Sequence, residues 1–215
     1  MKSILLLLLF PCLAFSQATK GDYDIYSKYL KVFQANKKVE KICFVVNETT
    51  AYSQKYFLPD VDQVVTDLTG YLKGDQTLLS EVSFTFRDVI HTLTKDTLWI
   101  PVIAELSQKI KQNFKIENNF SSDLQTIVIG NNTAKKYFRH SKTVKQIDRN
   151  WVRFHRKYPM PSALIELSEI ASDGQRAVFY FSTRCGGLCG DSDLIFFSKE
   201  NGEWKFLAKA PLWYN

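Results

Sequence analysis

The sequence predicts an α+β fold in which N-terminal helices pack on a C-terminal antiparallel β-meander. Two observations lead to this prediction. Four apolar, strand-like runs follow one another from Ser162 onward, with turn residues between them. Upstream of Pro161, apolar residues recur mostly at three- and four-residue spacing, which is typical of helices. We therefore expect a single domain over residues 17–215, with a helical half at about 17–160 and the sheet at about 161–215.

The first 16 residues are predicted to be a signal peptide. Lys2 supplies positive charge, residues 4–10 form a short apolar run, and residues 14–16 place small side chains at a cleavage site. No run in the chain reaches the roughly 18 apolar residues of a membrane-spanning helix. Pro11 fits poorly into a lipid-attachment motif, so lipid anchoring at Cys12 is not expected. We expect an exported bacterial protein, periplasmic or extracellular.

The helical half is predicted from hydrophobic spacing. Tyr26, Tyr29, Leu30 and Phe33 share one face of a helix over residues 22–38, and a β-branched run at 41–49 favours a strand. Similar apolar spacing predicts helices at 60–73 and 101–114, and a short apolar run predicts a strand at 124–129. Residues 76–93 fit both a helix and a strand, and we favour a helix because the neighbouring elements are helical.

A short helix over residues 150–158 carries Trp151, Phe154 and Tyr158 on one face, which is the pattern of a core-facing helix. The sheet then follows as strands at 162–168, 175–182, 193–198 and 203–208. The second strand is apolar on both faces, so we expect it to be covered on both sides. Asn201-Gly202 predicts a two-residue hairpin turn between the last two strands.

Three cysteines remain after signal cleavage, which is an odd number for an oxidising compartment. Cys43 lies in an apolar run and is expected to be a buried, unreactive thiol. Cys185 and Cys189 flank a glycine-rich loop and are the disulfide candidates, and two free thiols remain the alternative. Three scattered histidines and no second cysteine pair give no metal-site pattern, so no metal is expected.

Two other kinds of chemistry stay open near this loop. A thiolate at Cys185 or Cys189 would be a nucleophile if His155 acted as its base and Arg184 lowered the pKa of the thiol. Asp191 and the aspartate two residues later are interpreted as turn residues, although paired carboxylates also serve hydrolysis or calcium binding. No local motif of a known nucleophilic or metal-dependent hydrolase is present.

The chain carries a formal net charge of +6, and its densest basic stretch lies at residues 135–157. We interpret this stretch as a solvated face, with an anionic partner as the alternative. Nucleic acid is not expected because the sequence contains no motif of a known nucleic-acid-binding fold.

The final third of the sequence carries an ordered pattern: W-x2-F-x3-Y-P from Trp151, C-G-G-L-C-G from Cys185, G-x-W-K from Gly202, and the Leu212-Trp213 pair. In this pattern it resembles a family of uncharacterised exported bacterial proteins. This family has no known activity, so the resemblance implies export and the C-terminal pattern but no catalytic residue and no cofactor.

The sequence therefore favours a binding or interaction protein without enzymatic activity. The alternative is a hydrolase or thiol-dependent enzyme whose site lies beside the Cys185–Cys189 loop. The ligand is expected to be a macromolecule or a small molecule, anionic ones included, and the sequence predicts no cofactor and no particular oligomeric state. The expected binding surface comprises the loop and the segment that precedes the sheet: Arg184, Gly186, Gly187, Asp191, Trp151, His155 and Arg156.

Overall fold

A computed structural model describes residues 16–38, 41–48, 61–74, 92–93, 96–110, 112, 114–138, 143–158, 161–186 and 189–214. Its main feature is a seven-stranded mixed sheet with the strand order β4-β2-β5-β7-β8-β9, and β6 pairs with β7 off this path. The strands of this sheet are β2 Cys43–Asn47, β4 Thr126–Ile129, β5 Ser162–Leu167, β6 Ala171–Ser172, β7 Arg176–Gly186, β8 Cys189–Glu200 and β9 Glu203–Tyr214. A separate two-stranded parallel pair joins β1 Ser16–Gln17 to β3 Phe114–Lys115.

The α+β class is confirmed, and the C-terminal strands form the predicted antiparallel meander. β5, β7, β8 and β9 pair antiparallel in chain order. Asn201 and Gly202 have φ angles of 51° and 83°, as a type I′ turn requires, and they connect β8 to β9. The sheet also extends beyond the meander, because β2 and β4 from the helical half join it in parallel. Spacing along the chain does not reveal such long-range pairing.

In the part of the chain that the structure describes, five helices lie against the sheet: α1 Lys20–Asn36, α2 Val61–Leu72, α3 Trp99–Lys109, α4 Asn131–Phe138 and α5 Val144–Lys157. The predicted helices at 22–38, 60–73 and 101–114 correspond to α1, α2 and α3. α4 was not predicted, and α5 begins earlier than the expected residue 150 because Thr143 caps it by accepting a hydrogen bond from the Gln146 amide. The ambiguous segment 76–93 lies outside the described residues except for its last two positions.

α1 covers one face of the sheet. A reciprocal capping box starts it, in which the Thr19 hydroxyl accepts from the Asp22 amide and the Asp22 carboxylate accepts from the Thr19 amide at 2.7 Å. Tyr26 and Tyr29 of α1 pack edge-on against sheet residues; for example, the Tyr29 and Phe181 ring centroids are 4.8 Å apart. The buried Tyr26 hydroxyl also donates to the Ser168 carbonyl at 2.6 Å. These contacts fix α1 over the centre of the sheet.

The remaining helices cover the opposite face. α2 and α3 pack over β7 to β9, where Val178 and Tyr180 belong to the same buried cluster as Trp99. α4 and α5 pack over β2, β4 and β5, where Phe154 joins Cys43 in another buried cluster. β7 therefore has apolar side chains on both faces, as its sequence predicted.

Residues 1–15 of the predicted signal peptide, Cys12 included, lie outside the described residues, and its last residue, Ser16, lies in β1. Within the described part of the chain, none of the helices combines the length and the apolar character needed to cross a membrane.

Candidate functional site

The β7–β8 hairpin ends in a tip formed by Cys185, Gly186, Cys189 and Gly190. The Cys185 and Cys189 sulfurs lie within disulfide-bonding distance, and the two Cα atoms are 5.2 Å apart. The predicted disulfide pair is therefore juxtaposed as expected. The pairing register shifts between Arg184 and Gly186, so the strands cease regular pairing where the cysteines join them. Gly187, which also belongs to the predicted binding surface, lies outside the described residues.

His155 connects α5 to this tip and to the start of β5. Its Nδ1 lies 2.8 Å from Ser162 Oγ, and its Nε2 lies 3.1 Å from the Cys185 carbonyl oxygen. A carbonyl oxygen only accepts hydrogen bonds, so Nε2 is the donor in that contact. In the neutral imidazole, Nδ1 then accepts from the Ser162 hydroxyl. The ring therefore holds the base of the hairpin tip against α5.

This arrangement bears on the thiol-enzyme alternative. The fold does bring His155 beside Cys185, as that alternative requires. However, the imidazole contacts the main-chain carbonyl of Cys185, and its other nitrogen contacts Ser162. A cysteine held in a disulfide also offers no thiolate. The geometry consequently gives His155 a positioning function at the hairpin tip and leaves it no nitrogen for proton transfer to sulfur.

A cleft of about 400 Å³ opens on the α1 side of the hairpin tip. We call it the hairpin cleft. Its apolar lining comes from the end of α1 and the amino ends of β2 and β5, namely Phe33, Ile42, Pro161 and Ala163. Its polar lining comprises Lys37, Ser162, Thr183 and Asp191, and the two tip cysteines complete one wall. This size and this mixture of many apolar and few polar groups are typical of small-molecule sites.

Strand alternation directs Thr183 and Asp191 to the cleft side. Phe179 and Phe181 of β7 pack in the cluster that contains α1, and Thr183 follows them at the same two-residue period. Asp191 is its direct cross-strand partner on β8. Thr183 Oγ1 and Asp191 Oδ1 are both buried and have no hydrogen-bond partner within the described part of the chain. Two oxygen atoms that can accept hydrogen bonds therefore belong to cross-strand neighbours that line the same cleft.

Burial dominates the electrostatics of this strand end. It raises the pKa of the Asp191 carboxyl, while the Lys37 and Lys209 ammonium groups act in the opposite direction. The Lys37 ammonium lies 4.0 Å from Asp191 Oδ2. Burial also raises the pKa of Asp193, whose Oδ2 lies 3.1 Å from Lys209 Nζ. The interpretation of these aspartates as turn residues is wrong, because β8 extends to Cys189 and both side chains point toward the α1 face.

The predicted binding surface is only partly assembled. Asp191 lines the hairpin cleft, and Gly186 is half-buried at the tip. Arg184, which follows Thr183 on β7, is half-buried, and Arg156 is exposed on α5. The prediction that Trp151 belongs to the binding surface is wrong, because Trp151 is only 5% exposed and packs against Phe154 with ring centroids 5.2 Å apart. Its amphipathic spacing already predicted a core residue, and the structure confirms that prediction.

Sequence reasoning missed the cleft residues that lie far from the hairpin in the chain. Phe33 and Lys37 are at the end of α1, and Thr183 is the first residue after the strand predicted at 175–182. Only one local signal was available for Lys37, namely its position at the helix C-terminus, where a cation is favoured. The Cys43 prediction is confirmed, since Cys43 is buried and free, and burial raises the pKa of its thiol.

Among the described residues, no group of three or more His, Cys, Asp or Glu side chains is arranged to hold a metal ion. The chain matches no protein-family profile, no curated protein and no solved structure. The resemblance of its final third to uncharacterised exported bacterial proteins thus stays a prediction.

Proposed function

We propose that this chain is an exported, non-enzymatic protein that binds a small molecule in the hairpin cleft. The ligand has an apolar body and a head group that donates hydrogen bonds, such as an amine or a hydroxyl. One observation carries the proposal: Thr183 and Asp191 are cross-strand neighbours, and each has a buried side-chain oxygen without a partner in the described chain. A bound donor would satisfy both atoms, whose burial is otherwise unfavourable.

The apolar lining of the cleft supports the apolar body of the proposed ligand. Phe33 and Ile42 present side chains that water solvates poorly, so an apolar ligand body gains free energy by covering them. The Lys37 ammonium near Asp191 gives the cleft one charge of each sign. The unpaired oxygen of Asp191 still makes a donor head group the better fit at this position.

The first test uses three probes with the same ring and different head groups: benzylamine, benzyl alcohol and benzoate. Backbone-amide NMR titrations should show benzylamine and benzyl alcohol shifting signals at the ends of α1, β7 and β8. Benzoate should bind more weakly, because its carboxylate donates no hydrogen bond and meets Asp191. Equal binding of benzoate, or no shifts around the cleft, would show that the proposed site is wrong.

Variants locate the binding. Asp191→Asn should weaken benzylamine binding about tenfold or more, since a charge-assisted hydrogen bond contributes about 1.5–3 kcal/mol. Thr183→Val preserves the side-chain shape and should weaken both donor probes by a smaller factor. Asp148→Asn changes an exposed carboxylate on α5 and serves as the matched control, with affinity unchanged.

The enzymatic alternative has its own assay. A hydrolase would use the raised pKa of Asp191 to donate a proton within the cleft. A panel of nitrophenyl esters and glycosides should show no turnover above that of the Asp191→Asn variant. Turnover that this substitution abolishes would overturn the non-enzymatic part of the proposal and leave the position of the site intact.

A further inference from the structure

Positive charge is concentrated in the segment 131–157, whose helices α4 and α5 lie on the opposite face of the sheet from the hairpin cleft. Residues 131–157 contain nine Lys or Arg side chains and one Asp, a net charge of +8, whereas the whole chain carries +6. The rest of the chain therefore has a net charge of −2. A charge distribution of this kind creates a local positive field and favours association with a partner of opposite sign.

The outward side of α5 carries four of these cations: Lys145, Arg149, Arg153 and Arg156. We call these four residues the basic helix face. All four are exposed, whereas Trp151 and Phe154 on the inward side are buried. At the angular spacing of an α-helix, the four residues fall within an arc of about 80° and extend for about 16 Å along the axis. They form one continuous stripe.

The side chains that the structure describes do not neutralise the stripe. None of the four side chains forms an ion pair with any residue that the structure describes, and Asp148 lies about 60° outside the arc. Residues 145, 149 and 153 are spaced four apart, so their like charges repel one another along the helix. The helix dipole favours Arg156 in the last turn, but it disfavours Lys145 in the first turn. Helix stability alone therefore does not account for the stripe.

An apolar side chain accompanies the cations. Val152 is 51% exposed, and only Leu98, at 56%, is a more exposed large apolar side chain in the described chain. On the helical wheel, Val152 lies beside Lys145 and Arg156. A soluble polyanion offers charge to the arginines but nothing to the valine. A bilayer surface offers both anionic head groups and an apolar layer beneath them.

We propose that the basic helix face binds the surface of a membrane that contains anionic lipids. The helix lies flat on the head groups, with Arg149, Arg153 and Arg156 contacting lipid phosphates and Val152 reaching the boundary of the acyl chains. Because Trp151 and Phe154 remain in the protein core, the helix does not insert. The interaction is peripheral and sensitive to salt, and it leaves the hairpin cleft on the other face accessible.

Vesicle sedimentation tests this proposal. The protein should bind vesicles of phosphatidylcholine with about 30 mol% phosphatidylglycerol, not phosphatidylcholine alone, and about 0.5 M salt should release it. The variant R149Q/R153Q/R156Q should bind about 100-fold more weakly, since each cation near an anionic surface contributes about a fivefold gain. The control K31Q/K115Q/K205Q removes the same total charge from exposed lysines elsewhere and should change binding less than fivefold.

Two further measurements complete the test. Val152→Gln should weaken vesicle binding several-fold and leave binding to heparin, a soluble polyanion, unchanged. Circular dichroism should verify that R149Q/R153Q/R156Q keeps its helix content. We expect this because removing like charges four residues apart reduces repulsion along α5. Equal losses in both triple variants would mean that only net charge matters, and heparin binding without vesicle binding would assign the face to a soluble polyanion. Either result overturns the proposal.

Discussion

Thr183 and Asp191 lie directly opposite each other on the antiparallel strands β7 and β8, and each presents a buried oxygen atom without a partner in the described chain to the same cleft. Cross-strand neighbours of this kind stand close enough for one ligand group to contact both. Thr183 is two residues from Cys185, and Asp191 is two residues from Cys189. The Cys185–Cys189 pair holds the ends of both strands together. The hairpin tip thereby fixes the geometry of the two acceptors.

The burial of Asp191 predicts an unusual dependence of stability on pH. Because burial raises the pKa of Asp191 in the folded state, the folded carboxyl holds its proton at pH values where the unfolded one has lost it. Asp191 therefore contributes favourably to the free energy of unfolding in acid. This contribution is lost as the pH rises from the ordinary aspartate pKa of about 3.9 through the raised pKa of the folded state. Urea denaturation should show that the unfolding free energy decreases less between about pH 4 and pH 8 in the Asp191→Asn variant than in the wild type.

The control for that experiment is Asp148→Asn, which changes an exposed carboxylate and should reproduce the pH profile of the wild type. Asp193 is buried too, and its raised pKa leaves part of the slope in place when only Asp191 is replaced. An identical pH slope in Asp191→Asn and wild type would contradict the expected contribution.

His155 is expected to stabilise the hairpin tip. His155→Phe keeps the ring but removes the hydrogen bonds to the Ser162 hydroxyl and the Cys185 carbonyl, so the unfolding free energy should fall by about 1–3 kcal/mol. Arg153→Ala on the exposed side of the same helix should change it by less than about 0.5 kcal/mol. Guanidinium denaturation measures both variants, and similar losses in the two would refute the positioning function of His155.

The cysteine pair is expected to be oxidised in the mature protein. Alkylation before reduction should label neither Cys185 nor Cys189, and Cys43 should react only after unfolding because it is buried. The double variant C185S/C189S should fold and lose about 2 kcal/mol, as expected for a closed loop of about five residues. Rapid labelling of both tip thiols in the native protein would instead show two free cysteines and revive the thiol-enzyme alternative.

The buried hydroxyl of Tyr26 links α1 to the segment after β5. Tyr26→Phe removes only that hydroxyl and leaves the Ser168 carbonyl without its donor, so it should cost about 1–2 kcal/mol of unfolding free energy. Tyr71→Phe is the matched control, because Tyr71 is half-buried on α2 and its hydroxyl bonds to no described residue. Thermal and urea unfolding should separate the two variants, and equal stability would argue against this link.

Local patterns predicted most of the individual elements. The apolar spacing of Tyr26, Tyr29 and Phe33 predicted α1, and the Asn201-Gly202 turn predicted the β8–β9 hairpin. Each of these signals depends on residues within a few positions of one another, so the sequence carries it directly. The same holds for the disulfide candidates, which are only four positions apart. α4 was missed because its short, basic sequence lacks an extended apolar stripe.

Local sequence patterns thus predicted the α+β class, the C-terminal meander, the buried Cys43 and the position of the cysteine loop. They did not predict that β2 and β4 join the sheet in parallel, or that the end of α1 meets the hairpin to form a cleft. Lys37 and Asp191 are far apart in the chain, and no periodicity connects them. The physical reason is that secondary structure follows from local backbone and side-chain preferences, whereas a binding site forms where distant segments pack around a shared core.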